Sequence, residues 1–107
     1  MKGEEFFYLW INHLDRTCYG KTSDPNARKM KYEGHYGDVV EWTFLAKGSD
    51  VPQLEDALKS LVFKAGKGFH NYEWIMEDVS YESIEKNIQD LINDNAFEVE
   101  IIQSKYL

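Results

Sequence analysis

Cysteine, proline and long apolar runs are scarce in this chain, and the first and last of these shortages exclude whole classes of protein. The single cysteine, Cys18, excludes an intrachain disulfide and a zinc site built on several thiolates, and it is typical of a reducing compartment. No apolar run approaches the roughly 20 residues of a transmembrane helix. The charged start at residues 1–5 does not resemble a signal peptide. We therefore expect a cytoplasmic protein that does not associate with membranes.

Cations are also in short supply. Lys and Arg number 12 against 19 Asp and Glu, so the net charge is −7. Phosphate contacts need Lys and Arg, which disfavours a nonspecific nucleic-acid-binding protein. The whole excess lies in residues 73–107, where nine acidic residues stand against two lysines, whereas residues 16–31 carry five cations against Asp24 alone. The charge pattern leaves open a DNA contact through this basic segment and a protein contact through the acidic final third.

The composition that is present predicts one folded domain spanning residues 1–107. A hydrophobic content of 43 % with 15 % aromatic residues is enough for a packed core in a chain of 107 residues. The aromatic and branched run at residues 6–11 is apolar on both alternating faces, which predicts a strand buried on two sides. Residues 17–21 are predicted to form the returning strand of a hairpin.

Further elements follow from capping residues and apolar spacing. Asp24 with Pro25 behind it predicts a helix N-terminus, and we expect this helix to turn Ala27 and Met30 inward. Residues 38–46 are predicted to form the third strand. Asp50 is then expected to begin a second helix with an apolar stripe at residues 54, 58, 61 and 62.

The last part of the chain predicts a short edge strand or ordered loop at residues 71–76, a helix capped by Ser80 and a half-exposed strand at residues 97–101. The order β-β-α-β-α-(β)-α-β indicates an α+β fold, a small, mainly antiparallel sheet flanked by about three helices. Residues 77–107 form its acidic C-terminal helix and strand.

A possible phosphate site lies where the second strand meets the first helix. Gly20, Lys21, Thr22 and Arg28 surround the helix N-terminus at Asp24. Backbone N–H groups and cations at such a point attract phosphate. A nucleotide-binding P-loop is not expected, because position 15 is an aspartate where that motif has glycine.

Four motifs in order resemble the GIY-YIG endonuclease superfamily, in the phage- and virus-associated branch whose second motif is similar to Lys-Ile-Gly-Lys-Thr. Tyr8 stands where the first motif ends, and residues 18–22 match the second motif. Arg28 matches the arginine of the following helix, and Glu55 matches the glutamate of a later one. Residues 72–75 resemble the Glu-Trp-Phe segment that closes many such domains.

The resemblance implies hydrolysis of a DNA phosphodiester with one Mg²⁺ or Mn²⁺ ion held by Glu55. Tyr8 then activates water, and Arg28 stabilises the phosphate. Cys18 takes the position of the second motif's usual tyrosine; a shift by one residue would give that role to Tyr19, although strand alternation places Tyr19 on the opposite face. His35, between two glycines, is a further candidate for proton donation.

Three functions follow as alternatives. The first is a metal-dependent endonuclease, which requires Tyr8, Arg28 and Glu55 to share one concave surface. The second is a catalytically degenerate protein that keeps the fold and binds a basic protein partner through its acidic final third. The third is a small-ligand or nucleotide-phosphate site at residues 20–28 without hydrolysis.

Overall fold

The structure is a computed structural model, and it describes residues 5–12, 15–37, 39–61, 65–67, 73–75 and 80–106. Its elements follow in chain order: β1 Glu5–Ile11, β2 Thr17–Thr22, α1 Pro25–Tyr36, β3 Phe44–Gly48, α2 Val51–Leu61, β4 Ala65–Lys67, β5 Glu73–Ile75, α3 Tyr81–Asn95 and β6 Glu100–Gln103. Within these residues no helix is long and apolar enough to cross a bilayer.

The strands form one sheet in the order β4-β5-β2-β1-β3-β6, and every paired neighbour is antiparallel. The predicted α+β class with an antiparallel sheet is confirmed. Strand β1 lies in the interior of the sheet, hydrogen-bonded to β2 on one side and to β3 on the other. This position explains its apolar run, because both of its faces are covered.

The two faces of the sheet carry different cores. On one face, which we call the α2/α3 face, Phe7 and Leu9 of β1 pack against Leu54 and Leu58 of α2 and against the aliphatic stripe of α3. The other face, the α1 face, holds a second buried cluster. Its members are Tyr8, Trp10, Cys18, Tyr32 and Val40, with Tyr36, Trp42 and Leu45 packed against them.

Helix α1 begins as predicted but buries a different side. Asp24 is the N-cap, and Gly37 ends the helix in the left-handed conformation at φ 74°. The expectation that Ala27 and Met30 point inward is wrong, since Ala27 is exposed and Met30 is 71 % exposed. Tyr32 is the fully buried residue of this helix. Tyr32 packs against the aromatic side chains of the α1 face, and this packing turns Met30 toward solvent.

Three strand predictions need correction. Strand β3 begins at Phe44, not at residue 38, and β6 begins at Glu100, after the predicted start at residue 97. Within the predicted segment 71–76, residues 73–75 form strand β5, which is no edge strand because it pairs with both β4 and β2, and residues 71, 72 and 76 lie outside the described residues. Such long-range pairing has no local signal in the sequence.

A buried carboxylate of α3 binds the backbone of the segment after β6. Glu85 is 0 % exposed, and its two carboxylate oxygens each accept a backbone N–H at 3.0 Å, one from Lys105 and one from Tyr106. The ring of Tyr106 also packs on Tyr81 at 5.9 Å between centroids. Strand β6 is therefore held from both ends, by the turn after α3 and by this carboxylate.

Candidate functional site

The best-defined polar cluster lies inside the α1 face, where β1, β2 and α1 meet. The hydroxyls of Tyr8 and Tyr32 are hydrogen-bonded at 2.5 Å. Arg28 Nη1 donates to Tyr8 Oη at 2.9 Å, and the Cys18 thiol donates to Tyr32 Oη at 3.4 Å. We call these four residues the phenol network. Two of the predicted catalytic residues, Tyr8 and Arg28, are thus in direct contact.

Gly20 has a steric role in this network. It lies opposite Tyr8 in the β1–β2 register, and a Cβ atom added there would stand 2.4 Å from Tyr8 Oη and 2.8 Å from its Cζ. No side chain fits at that distance, so glycine is required for the Tyr8 ring to lie across β2. The need for glycine at this position is explained by packing and does not depend on a bound phosphate.

Burial sets the electrostatics of the two phenols. Desolvation raises the pKa of Tyr8 to about 12, although the hydrogen bond from Tyr32 and the charge of Arg28 both oppose this rise. Desolvation, with the neighbouring Cys18 and Tyr8, raises the pKa of Tyr32 as well. Burial alone would lower the pKa of Arg28. The interactions of its guanidinium with the phenol oxygens of Tyr8 and Tyr32 outweigh this effect, so the pKa of Arg28 is raised. At neutral pH the network therefore holds a cation against two neutral phenols.

The predicted phosphate site is largely occupied by the protein itself. Asp24 Oδ1 accepts the N–H of Ala27 at 3.1 Å and so places a carboxylate at the helix N-terminus. Thr22 Oγ1 accepts the N–H of Asp24 at 3.1 Å, and Lys21 Nζ lies 3.9 Å from a carboxylate oxygen of Glu5. These contacts use groups that the phosphate prediction assigned to a ligand.

Tyr19 and His35 lie away from the phenol network. Tyr19 is 1 % exposed and belongs to the core of the α2/α3 face, as strand alternation predicts. Cys18 lies on the same face as Tyr8, so the thiol is the second-strand side chain that reaches the network. His35 is exposed in the last turn of α1.

Glu55 belongs to the other side of the molecule. It lies on α2, whose neighbouring residues Leu54 and Leu58 pack on the α2/α3 face. Only 8 % of its surface is exposed, and its Oε1 lies 3.8 Å from Lys59 Nζ. Within the described parts of the chain, no group of three or more His, Cys, Asp or Glu side chains is arranged to hold a metal ion. The assignment of Glu55 as a metal ligand stays a prediction.

Acidic side chains cover the outside of α3 and the segment that follows it. Five of them are exposed: Glu82, Asp90, Asp94, Glu98 and Glu100. Among the described residues, ion pairs join only Lys21 to Glu5 and Lys59 to Glu55, so these five carboxylates have no cationic partner there. We call this set the acidic surface. Its three residues on α3 lie on the side of the sheet opposite α1, whereas Glu100, which pairs in register with Lys47 and alternates with Ile101, lies on the α1 face.

Tyr32 is the network residue that the sequence analysis missed. It follows Arg28 by four residues and precedes Tyr36 by four, and side chains at this spacing share one face of a helix. The pair Tyr32 and Tyr36 was detectable as an aromatic stripe at that spacing, whereas the other three rings of the five-ring cluster come from β1 and from the segment before β3. The members of this cluster are Tyr8, Trp10, Tyr32, Tyr36 and Trp42.

No protein family, no curated protein and no solved structure matches this chain. The resemblance to the GIY-YIG superfamily therefore stays a prediction that rests on the ordered motif residues.

Proposed function

We propose that this chain is a GIY-YIG-like domain that works as a binding or regulatory protein and engages a basic protein partner through its acidic surface. The observation that carries the proposal is the set of five exposed carboxylates without a cationic partner among the described residues. Like charges gathered on one surface repel one another and are relieved by a partner of opposite sign.

The state of Tyr8 supports binding over catalysis. A general base must shed its proton near neutral pH, whereas burial raises the pKa of Tyr8 to about 12. The phenol is 0 % exposed, and its oxygen is engaged by both Tyr32 and Arg28. A water molecule awaiting activation has no open path to it in this arrangement.

The placement of Glu55 points the same way. Arg28 and Tyr8 contact each other on the α1 face, whereas α2 packs its residues on the opposite face. Lys59 lies at ion-pair distance from the carboxylate that a Mg²⁺ or Mn²⁺ ion would need. These residues do not fit a metal centre shared by Tyr8, Arg28 and Glu55.

Affinity capture from the native host, followed by identification of the captured protein, tests the proposal. The test variant is Glu82→Lys/Asp90→Lys, which reverses two exposed charges of the acidic surface. Glu85 is left unchanged, because it is buried and fastens the chain end. The control variant, Asp15→Lys/Glu41→Lys, makes the same change in net charge at two exposed residues outside the acidic surface. We expect capture of a basic protein by wild type and control and its loss with the test variant; equal capture by all three contradicts the proposal.

We propose metal-dependent DNA cleavage as the second candidate function, on the strength of the 2.9 Å hydrogen bond between Arg28 and Tyr8. The resemblance assigns the ion to Glu55, but α2, which carries Glu55, packs on the face of the sheet opposite Arg28, so one ion on Glu55 does not reach a phosphate bound by Arg28. Arg28 would bind a phosphate oxygen, and the basic face of α1 would hold the DNA strand.

A nuclease assay separates the two functions. Linear, supercoiled and branched DNA would be incubated with Mg²⁺ or Mn²⁺ and with wild type or Glu55→Ala. Cleavage by the wild type that Glu55→Ala abolishes supports the endonuclease. No cleavage with any substrate discards it and leaves the binding function as the proposal.

A further inference from the structure

We propose that a groove between the β3–α2 turn and the segment after α3 is the point on the acidic surface where an arginine side chain of the partner polypeptide is seated. The inference rests on the proposed function and deepens it, because it names the chemistry that the partner must present. The groove has a volume of about 470 Å³, and its walls come from residues 47–49 and 97–100.

The volume of the groove lies within the range of sites that bind small ligands, roughly 300–1,000 Å³. Phe97 and Val99 pack on the core of the α2/α3 face yet stay partly exposed along the groove. They offer an apolar floor for the three methylene groups of an arginine, which covers apolar surface with its stem and keeps its charge at the rim. A flat guanidinium also stacks on an aromatic ring such as that of Phe97.

Carboxylates stand at the rim of this floor. Glu98 and Glu100 both line the groove and are exposed, and neither forms an ion pair with a residue that the structure describes. Lys47 contributes a single positive charge on the opposite strand, where it is paired in register with Glu100. The rim is therefore negative on balance. A guanidinium binds a carboxylate with two parallel hydrogen bonds, which favours arginine over lysine.

The backbone on both sides of the groove is fixed before any ligand arrives. Asp50 Oδ2 accepts the N–H of Glu98 at 2.7 Å, and Ser49 Oγ donates to Glu98 Oε2 at 3.1 Å. Gly48 lies so close that an added Cβ would stand 2.0 Å from the Glu98 carbonyl oxygen. A site whose walls are already in place binds without the cost of ordering them.

A titration followed by amide NMR spectra of the ¹⁵N-labelled chain tests the groove. The probe is a capped Gly-Gly-Arg-Gly-Gly peptide, and the control probe replaces arginine by citrulline, which has the same shape without the charge. We expect the arginine peptide to shift the amides of residues 47–49 and 97–100 and the citrulline peptide to leave them in place. Equal shifts with both peptides, or no shift with either, overturn the inference.

Matched variants complete the test. Glu98→Gln/Glu100→Gln removes both rim charges and keeps an acceptor for Ser49, and we expect affinity for the arginine peptide to fall about fivefold or more. The control Asp15→Asn/Glu41→Gln should bind within about twofold of the wild type, because both residues are exposed and lie outside the groove, where charges interact weakly with its ligand. Shifts centred on residues 82–94 that survive the rim substitutions overturn the groove while leaving the proposed function in place. Failure of the proposed function shows separately, as capture that is unaffected by Glu82→Lys/Asp90→Lys.

Discussion

The two faces of the sheet are packed with different residue types. The α2/α3 face is packed mainly with leucine, isoleucine and phenylalanine and carries an acidic exterior. The α1 face is packed with tyrosine and tryptophan, and the helix that covers it holds three cations and one acidic residue. The aliphatic core is stabilised by side chains of complementary shape and volume. The aromatic core must in addition provide hydrogen-bond partners for its buried hydroxyl groups.

This difference separates two tasks within 107 residues. On the α1 face the four residues of the phenol network are hydrogen-bonded to one another and so organise the interior. On the α2/α3 side Glu55 and Glu85 are buried, whereas the acidic residues of the acidic surface are exposed to solvent. Substitutions that act on one side at a time therefore reveal which side holds the fold together and which side binds.

The largest single effect is expected at Glu85, the one buried acid of α3. Glu85→Ala removes the acceptor of two backbone N–H groups and should lower the free energy of unfolding by about 3–4 kcal/mol. Urea denaturation measures the change. Glu82→Ala, an exposed acid in the first turn of the same helix, is the control and should stay within about 0.5–1 kcal/mol of the wild type. Equal losses in the two variants would show that the hydrogen bonds to Glu85 do not stabilise the fold.

Alkaline pH should destabilise the phenol network. The pKa of Tyr8 is raised by burial from its ordinary value of 10.0 to about 12, so this phenol contributes its full stability below pH 10 and loses it as the pH rises through 12. Over that window the loss is about 3 kcal/mol, from about 1.4 kcal/mol per pH unit. Denaturation series at pH 9 to 12 check this.

Tyr8→Phe removes the titrating group and should flatten the alkaline loss relative to the wild type. Tyr106→Phe is the matched control, since its ring is 51 % exposed, and it should follow the wild-type profile. A Tyr8→Phe profile as steep as that of the wild type would show that this phenol is not held neutral by the fold.

Glycine substitutions compare the crowded strand with the open helix. Gly20→Ala forces a Cβ into the Tyr8 ring and should cost about 2 kcal/mol. Gly34→Ala lies inside α1 with nothing within 4 Å of the new atom and should stabilise the protein by about 0.5–1 kcal/mol. Thermal melting distinguishes the two. A neutral Gly20→Ala would mean that Tyr8 does not lie over β2.

The smallest effect is expected at Tyr32. Tyr32→Phe keeps the ring and removes the hydroxyl that bonds to Tyr8 and Cys18, at a cost of about 1–2 kcal/mol. A Tyr32→Phe/Cys18→Ala double variant should lose less than the sum of the single changes, because both remove the same hydrogen bond. Strict additivity would contradict the shared contact.

Local patterns predicted the elements of this fold better than their arrangement. The apolar run of β1 and the caps at Asp24 and Ser80 have local causes, and all three are confirmed. The expectation that Ala27 and Met30 point inward was wrong, because the inward side of α1 carries Tyr32 and also Arg28, whose hydrogen bond is accepted by a buried phenol. No local signal shows that a tyrosine 20 positions earlier supplies that acceptor.

The candidate site was predicted only in part, because its residues come from elements that are distant in the sequence. Motif order brought Tyr8 and Arg28 together correctly, and their contact is present. Glu55 was expected to lie in the same site as Tyr8 and Arg28, which requires α2 to cover the α1 face of the sheet. The long-range packing of Leu54 and Leu58 places α2 on the other face. Sequence spacing specifies which side chains share a helix face, but not which face of a sheet the helix covers.

The most direct test of the account compares the two sides in one capture experiment with the identified partner. Glu82→Lys/Asp90→Lys alters the acidic surface, and Lys29→Glu/Lys31→Glu alters the basic side of α1. We expect the first variant to lose the partner at physiological salt and the second to retain it at wild-type affinity. Retention by the first and loss by the second would contradict the account and place the binding function on the α1 face.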